Sequence, residues 1–127
     1  MKMKIYAQLL IEFVLCMSKI GMIGTTSFTN RLPITNIFSK IKRKYGQYAE
    51  IISGGNSTGA ELLIKKYALE LGYPYKEYNP SYTGWRIYSA MPKEYYGKGF
   101  HPSHLTDRYK RLVTECEYLI VFIERGL

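Results

Sequence analysis

The sequence of 127 residues is poor in cysteine, histidine, tryptophan and acidic residues. Its two cysteines, Cys16 and Cys116, form no CxxC pair and no metal-ligand spacing, so two reduced thiols in a cytoplasmic protein are expected. Neither a Gly-Lys-Ser/Thr loop nor a G-x-G-x-x-G stretch occurs, which excludes the common ATP and dinucleotide fingerprints. No metal-ligand cluster and no Ser-His-Asp set is recognisable, so the sequence predicts neither a metal nor a cofactor.

Acidic residues are outnumbered, since 18 lysines and arginines face 10 aspartates and glutamates, which gives a formal net charge of +8. This balance favours anionic partners such as nucleotides, nucleic acid or an anionic surface. The alternative is that the charge serves only to keep the protein in solution. The length predicts one domain, and an apolar content of 46% is ordinary for a globular protein.

The first sixteen residues, MKMKIYAQLLIEFVLC, are mostly apolar after two lysines. They are short and polar for a membrane span, because Glu12 interrupts the apolar stretch, and no small-residue cleavage site follows. We interpret residues 1–16 as an N-terminal extension and residues 17–127 as the domain. A helix packed on the domain and an export signal remain the alternatives for residues 1–16.

Apolar periodicity alternates between strand and helix patterns along the domain. We predict strands at 19–24, 48–54, 74–79 and 117–123, and helices at 33–45, 57–71 and 103–116. The third strand is expected closer to a sheet edge, and the fourth, EYLIVFI, is expected to be fully buried. This order predicts an α/β fold: a Rossmann-like three-layer sandwich with a mainly parallel sheet of about four strands and helices on both faces.

Helix ends carry recognisable signals. Thr58 and Glu61 match a capping box, Gly72 is expected to end that helix, and Ser103 is a plausible N-cap for the third helix. The third helix is expected to place Leu105, Tyr109, Leu112 and Val113 on one side. Residues 80–103 show no clear period, and a loop of that length in a compact domain is usually functional or disordered; its aromatic residues argue against disorder.

Two glycine-containing loops, 24–31 and 53–58, are expected to connect strand ends to helix starts. Ligands of open α/β sheets bind at the carboxyl ends of the strands, and N–H groups at a helix start attract phosphate. Arg31 could add charge. A tight capped turn without a ligand is the alternative. The predicted ligand-binding residues are Gly24, Thr25, Thr26, Ser53, Gly54, Gly55, Ser57, Thr58, Gly59 and Arg108.

Four segments in this order, KIGMIGTTSFTNR, IISGGNSTGAELLIKKYALELGYPYKEYN, HLTDRYKRLV and CEYLIVFIERG, resemble the YspA-like branch of the SLOG superfamily. The resemblance covers about residues 19–126, and its second segment is the most specific. It implies a Rossmann-like fold and binding of a nucleotide or a nucleotide-derived ligand. Phosphoribohydrolases, a DNA-processing protein and sensor domains of antiviral systems are among the members of that superfamily.

Carried over by position, Gly24, Thr25 and Thr26 match the first family loop, with Thr26 in place of the family arginine. The second loop is matched by Gly54, Gly55, Gly59, Ala60 and Glu61, with one residue more between the glycines and Glu61 in place of aspartate. Arg108 matches the family arginine, and Tyr109 replaces asparagine. Family members continue past the fourth strand with a loop that leads to a catalytic glutamate in the phosphoribohydrolases. The resemblance therefore implies a shortened homologue, a fragment or a binding protein.

Several further residues have two interpretations. Arg108 could contact a ligand phosphate or be a solvated charge; Glu61 could cap its helix or serve in catalysis. His101 and His104 could contact phosphate or act as a general acid, or be polar surface. Tyr82 and Trp85 could stack a base, or pack on the core or as a lid.

These observations leave three functions. The first, which we favour, is capture or sensing of a nucleotide or nucleotide-derived small molecule without catalysis. The second is hydrolysis of a nucleoside-phosphate N-glycoside, with Glu61 or Glu124 as candidate carboxylates. The third is nucleic-acid binding by Lys40, Lys42, Arg43 and Lys44 together with the RYKR segment. An exposed sheet edge would also allow a homo-oligomer.

Overall fold

The computed structural model describes residues 17–97 and 102–124, so residues 1–16 lie outside the described residues. Four parallel strands form one sheet in the order β3-β2-β1-β4. The strands are β1 (Ser18–Gly24), β2 (Ala49–Ser53), β3 (Tyr75–Glu77) and β4 (Tyr118–Phe122). The helices are α1 (Arg31–Tyr45), α2 (Ala60–Glu70) and α3 (Pro102–Glu115). The predicted α/β class with a parallel four-stranded sheet is confirmed.

Apolar side chains cover both faces of the sheet. Ile51 and Ile52 are consecutive in β2, and both are 0% exposed, yet they belong to two separate apolar clusters. Successive strand residues point to opposite faces, so Ile51 packs with α1 and α2, whereas Ile52 packs with Leu112 of α3. Each such buried aliphatic side chain contributes about 1.5–3 kcal/mol. The clusters therefore fix the three layers.

Helix α1 follows directly from its sequence. Ile34, Phe38 and Ile41 recur at helical spacing and are buried. The side chain of Asn30 caps the helix by accepting a hydrogen bond from the Leu32 N–H at 3.1 Å. At the other end Gly46 has a positive φ of 60° and donates its N–H to the Lys42 carbonyl. The basic last turn suits the negative end of the helix dipole.

The predicted capping box at α2 is wrong. The helix begins at Ala60 with Gly59 as its N-cap, and no side chain caps it. Gly59 is required because its φ is 77° and an added Cβ would lie 2.4 Å from the Thr26 carbonyl oxygen. The first loop therefore packs directly on the start of α2. The predicted end is confirmed, since Gly72 follows the last residues of the helix with a φ of 77°.

Helix α3 differs from expectation in two respects. It begins at Pro102, so Ser103 lies inside the helix and is not its N-cap. The predicted apolar side is only partly buried: Leu112 is 0% exposed, whereas Leu105 and Val113 are about half exposed. The buried row of the helix instead runs through Arg108 and Leu112. Arg108 donates to the backbone just after β2 and β3, and Leu112 packs with Ile52 of β2.

Strand β4 corrects the prediction of a fully buried strand. Within residues 17–97 and 102–124 it pairs with β1 alone, and it lies at an edge of the sheet. Only Phe122 of the five strand residues is buried. Strand order decides this exposure, because the crossover from β3 places β4 beyond β1. The third strand is at the opposite edge, as predicted.

The segment between β3 and α3 is ordered over its described part, residues 78–97. It contains two short 3₁₀ helices, Ser81–Thr83 and Lys93–Gly97, and a bridge between Glu77 and Ser89. None of the helices formed by residues 17–97 and 102–124 has the length and apolar character needed to cross a membrane.

Candidate functional site

The carboxyl ends of the first three strands meet at one cavity of about 390 Å³. Thr26 follows β1, Asn56 follows β2, and Ser81 lies beyond β3. Tyr82 and Tyr95 add aromatic rings, and α3 adds Arg108. The described residues that line this cavity are Thr26, Asn56, Pro80, Ser81, Tyr82, Tyr95, His104, Leu105 and Arg108. This is the edge at which open α/β sheets bind ligands.

The glycine loop after β2 encloses a carboxylate of the protein itself. The Asn56 N–H donates to Glu61 Oε1 at 3.1 Å, and the Tyr109 hydroxyl donates to Oε2 at 2.9 Å. A Cβ on Gly54 would lie 2.5 Å from Glu61 Oε1. Glycine at position 54 thus lets the loop lie against the Glu61 side chain. The Asn56 N–H points to this internal anion, while the Ala60 N–H binds the Thr25 carbonyl.

Glu61 is only 1% exposed. Burial raises the pKa of its carboxyl group, and the hydrogen bonds from Asn56 and Tyr109 and the charge of Arg108 lower it by less. The pKa of the Tyr109 hydroxyl is also raised, by burial and by the Glu61 charge, so this hydroxyl stays protonated and donates. Glu61 thus lies beneath the cavity and joins α2 to the glycine loop and to α3.

Arg108 lies at the junction of three elements and is 5% exposed. Its Nε donates to the Tyr78 carbonyl at 2.7 Å, and its Nη2 donates to the Gly54 carbonyl at 3.0 Å. The side chain therefore ties α3 to the chain that leaves β2 and β3. The interpretation as a solvated charge is wrong, and contact with a ligand phosphate stays a prediction.

One wall of the cavity is organised by Asn79, which is 0% exposed. Its Nδ2 donates to the Thr83 hydroxyl at 2.8 Å and to the Gly84 carbonyl at 2.9 Å. Its Oδ1 accepts a hydrogen bond from the Tyr96 hydroxyl at 2.6 Å. A single amide therefore joins both ends of the segment that carries Ser81, Tyr82 and Tyr95.

A second buried carboxylate, Glu77, ends β3. It accepts hydrogen bonds from Lys65 Nζ at 3.0 Å and from the Tyr75 hydroxyl at 2.9 Å, and Arg86 Nη1 lies 3.7 Å away. The sequence did not predict a role at the site for Glu77, Asn56, Ser81, Tyr95 or Asn79. The sequence held one signal for Glu77. Lys65 lies one helical turn after Glu61 on the buried side of α2, and a lysine in such a place usually pairs with a carboxylate, which here is Glu77.

The structure brings only part of the predicted site to the cavity surface. Thr26 and Arg108 line the cavity. Ser53 is 0% exposed beneath it, and Gly54 and Gly55 are buried in the loop. Ser57 and Thr58 are exposed, and Gly24, Thr25 and Gly59 form the contact between the two loops. Most of the predicted residues therefore shape the site from behind.

The other candidates fall in different places. His104 lines the cavity, with its ring 4.9 Å from the Tyr95 ring centroid; His101 lies outside the described residues. Tyr82 lines the cavity and is 72% exposed; base stacking and a lid role stay predictions. Trp85 is 51% exposed beside Lys93, which corrects its expected packing on the core. Glu124 is exposed just after β4 and does not line the cavity.

A larger groove of about 710 Å³ lies between β3 and α3. Four of its five charged side chains are paired with one another: Lys76 contacts Glu115, and Arg111 contacts Asp107 at 3.3 Å; Lys110 is the fifth. The lysine-rich end of α1 is separate again, because α1 runs from the carboxyl end of β1 to the amino end of β2. The cavity at the carboxyl ends is therefore the site that the two loops build.

Within residues 17–97 and 102–124, no group of three or more histidine, cysteine, aspartate or glutamate side chains is placed to hold a metal ion. No protein-family model, curated protein or solved structure matches the chain.

Proposed function

We propose that the protein binds a nucleotide or a nucleotide-derived small molecule in the cavity of about 390 Å³, as a sensor or sequestering protein. The observation that carries the proposal is the convergence of both strand-to-helix loops, two tyrosines and Arg108 at the carboxyl edge of a parallel sheet. The volume lies within the range of about 300–1,000 Å³ that is usual for small-molecule sites.

The lining residues suit the parts of such a ligand. A base can stack on the ring of Tyr82 or Tyr95, and the hydroxyl groups of Thr26 and Ser81 suit ribose or the base edge. Arg108 and the net charge of +8 favour an anionic group. Since Arg108 uses Nε and Nη2 on backbone carbonyls, it would attract the anion mainly through its charge.

The positions of the carboxylates support ligand binding without catalytic turnover. Glycoside hydrolysis needs a carboxyl group at the reacting bond. Glu61 lies under the glycine loop with both oxygens hydrogen-bonded, and Glu124 is outside the cavity. We also propose that the chain is a YspA-like member of the SLOG superfamily. The sequence resemblance over about residues 19–126 and the four-stranded parallel sheet support this proposal.

The test is a thermal-shift titration with adenosine, AMP, NAD and ADP-ribose, followed by chromatography of the recovered ligand. At a concentration about 100 times its Kd, a ligand stabilises the fold by about 2.7 kcal/mol. Thr26→Trp should fill the cavity mouth and abolish the shift. Ser27→Trp is the matched control, because Ser27 is exposed in the same turn and does not line the cavity.

A shift that Thr26→Trp removes and Ser27→Trp retains, with intact ligand recovered, supports the proposal. Recovery of free base and sugar would replace it with the hydrolase function. The absence of any shift, together with binding to long DNA or RNA that weakens steeply with salt, would favour nucleic-acid binding instead.

A further inference from the structure

The two edges of the sheet differ in whether another segment hydrogen-bonds to them. At the β3 edge, the Glu77 N–H donates to the Tyr88 carbonyl at 2.8 Å, and the Ala90 N–H donates to the Glu77 carbonyl at 2.7 Å. The following segment thus covers the short strand. At the β4 edge, the part of the chain that the structure describes pairs no further strand with β4. As far as the described residues show, the β4 edge alone is therefore left as a template for pairing.

The β4 edge also lacks the features that keep edge strands apart. Residues 118–123, YLIVFI, contain no charge and no proline. Tyr118 is 51% exposed, Leu119 41%, Val121 47% and Ile123 66%. Monomeric proteins usually protect such an edge with charged residues, proline or a bulge. The exposed apolar edge is therefore an interaction surface.

We propose that the occupant of this surface is a second copy of the chain, paired antiparallel through β4 about a two-fold axis at Ile120. Residues directly opposite each other in an antiparallel pair lie on the same face of the sheet. Tyr118 then lies opposite the partner's Phe122, and Leu119 lies opposite the partner's Val121. The strand is complementary to itself, and the sheet continues into eight strands.

The pleat limits the choice of register. Because directly opposite residues share a face, a two-fold axis perpendicular to the sheet must pass through a residue position. The axis at Ile120 is the one that pairs all five residues of β4, Tyr118–Phe122, with one another. With the axis at Ile120, Glu117 lies opposite the partner's Ile123. The partner's Glu124 then lies at the Tyr118 end of the strand.

Lys44 supplies the opposite charge at that end. Its Nζ lies 5.8 Å from the Tyr118 ring centroid, on the face of the sheet that α1 covers. Glu124 has the same strand parity as Tyr118, so the register brings the partner's Glu124 to the same face. The symmetry makes two such pairs in each dimer.

The surface is small for a dimer interface. Strand pairing and the exposed side chains together bury roughly 1,000 Å² over both copies, which is at the low end of specific interfaces. Complexes at that end are usually weak, so we expect a Kd in the micromolar range.

The experiment is sedimentation velocity of the full 127-residue chain, from about 1 to about 200 µM to bracket that Kd. Val121→Lys places a charge on the edge and should weaken the dimer by at least about tenfold. Leu62→Lys is the control, because Leu62 is 48% exposed on α2, away from β4, and should leave dimerisation unchanged.

A charge exchange tests the register. Lys44→Glu and Glu124→Lys should each weaken the dimer several-fold, and the double variant should recover it, which an unrelated structural effect would not do. A chain that stays monomeric at every concentration overturns the proposal, as does a dimer that survives Val121→Lys. A dimer that forms only after removal of residues 1–16 overturns it for the whole chain.

Discussion

Arg108→Ala should destabilise the protein even when no ligand is present. The wild-type side chain is 5% exposed and makes two charged hydrogen bonds, to the Tyr78 and Gly54 carbonyls. A hydrogen bond to a charged group contributes about 1.5–3 kcal/mol, and the truncation leaves two carbonyls without this donor. We expect a loss of about 3–5 kcal/mol, which is a large part of a typical stability of about 5–15 kcal/mol.

The assay is urea unfolding of the ligand-free protein, followed by far-UV circular dichroism. Lys110→Ala is the control, since Lys110 is exposed on the same helix and its loss should cost less than about 0.5 kcal/mol. Arg108→Lys should fall between the two, because an ammonium group cannot reach both carbonyls with the geometry of a guanidinium. If Arg108→Ala unfolds within about 1 kcal/mol of the wild type, the structural role argued here is wrong.

Three further predictions concern buried groups near the site and the sheet. Burial raises the pKa of Glu61, so the folded state holds its proton more tightly and stability falls as the pH rises above 4.5; Glu61→Gln should flatten this part of the pH profile in urea unfolding. Gly54→Ala should cost about 1–3 kcal/mol in the same assay, because the new Cβ meets the fixed Glu61 carboxylate, whereas Gly97→Ala, with no atom within 4 Å of its Cβ, should be nearly neutral. The pKa of the Cys116 thiol is raised to about 11, so at pH 8 in a Cys16→Ser background iodoacetamide should label it far more slowly than free cysteine; labelling at the free rate would contradict this.

The order of strands and helices could be predicted because each element carries its own period. Ile34, Phe38 and Ile41 are spaced for one helix face, and the turn glycines Gly46 and Gly72 have the positive φ that a helix end uses. These signals are local, so they need no knowledge of neighbours. The parallel sheet of about four strands was predicted from the alternation of strand and helix patterns alone.

The exposure of β4 could not be predicted, because an apolar run is equally typical of a central strand and of an edge that binds a partner. Its place depends on strand order, which periodicity does not encode. The role of Glu61 was also misjudged: the sequence offered a local cap, but the side chain turns to the loop and to Tyr109, which lies 48 residues away. The role of such a buried polar group is decided by partners that are distant in the sequence.

The sequence anticipated the position of the cavity better than its lining. The glycines of the two loops lie at the edge of the sheet where the cavity opens, because small residues between a strand and a helix are a local signal. Ser81, Tyr82 and Tyr95 come from a segment without a period, where only the three-dimensional path decides which side chains face the cavity. The positions of these three side chains depend on Asn79, whose hydrogen-bond partners lie up to 17 residues away in the sequence.

Asn79 has a consequence for the rigidity of the cavity. Its hydrogen bonds close within residues 79–96, and Met91 and Tyr95 of the same segment pack with Ile52 of β2 and Leu112 of α3. The wall and the α3 face of the sheet therefore form one cooperative unit. Amide protons of the wall should exchange with solvent together with those of α3, so a ligand would enter a cavity that is already formed.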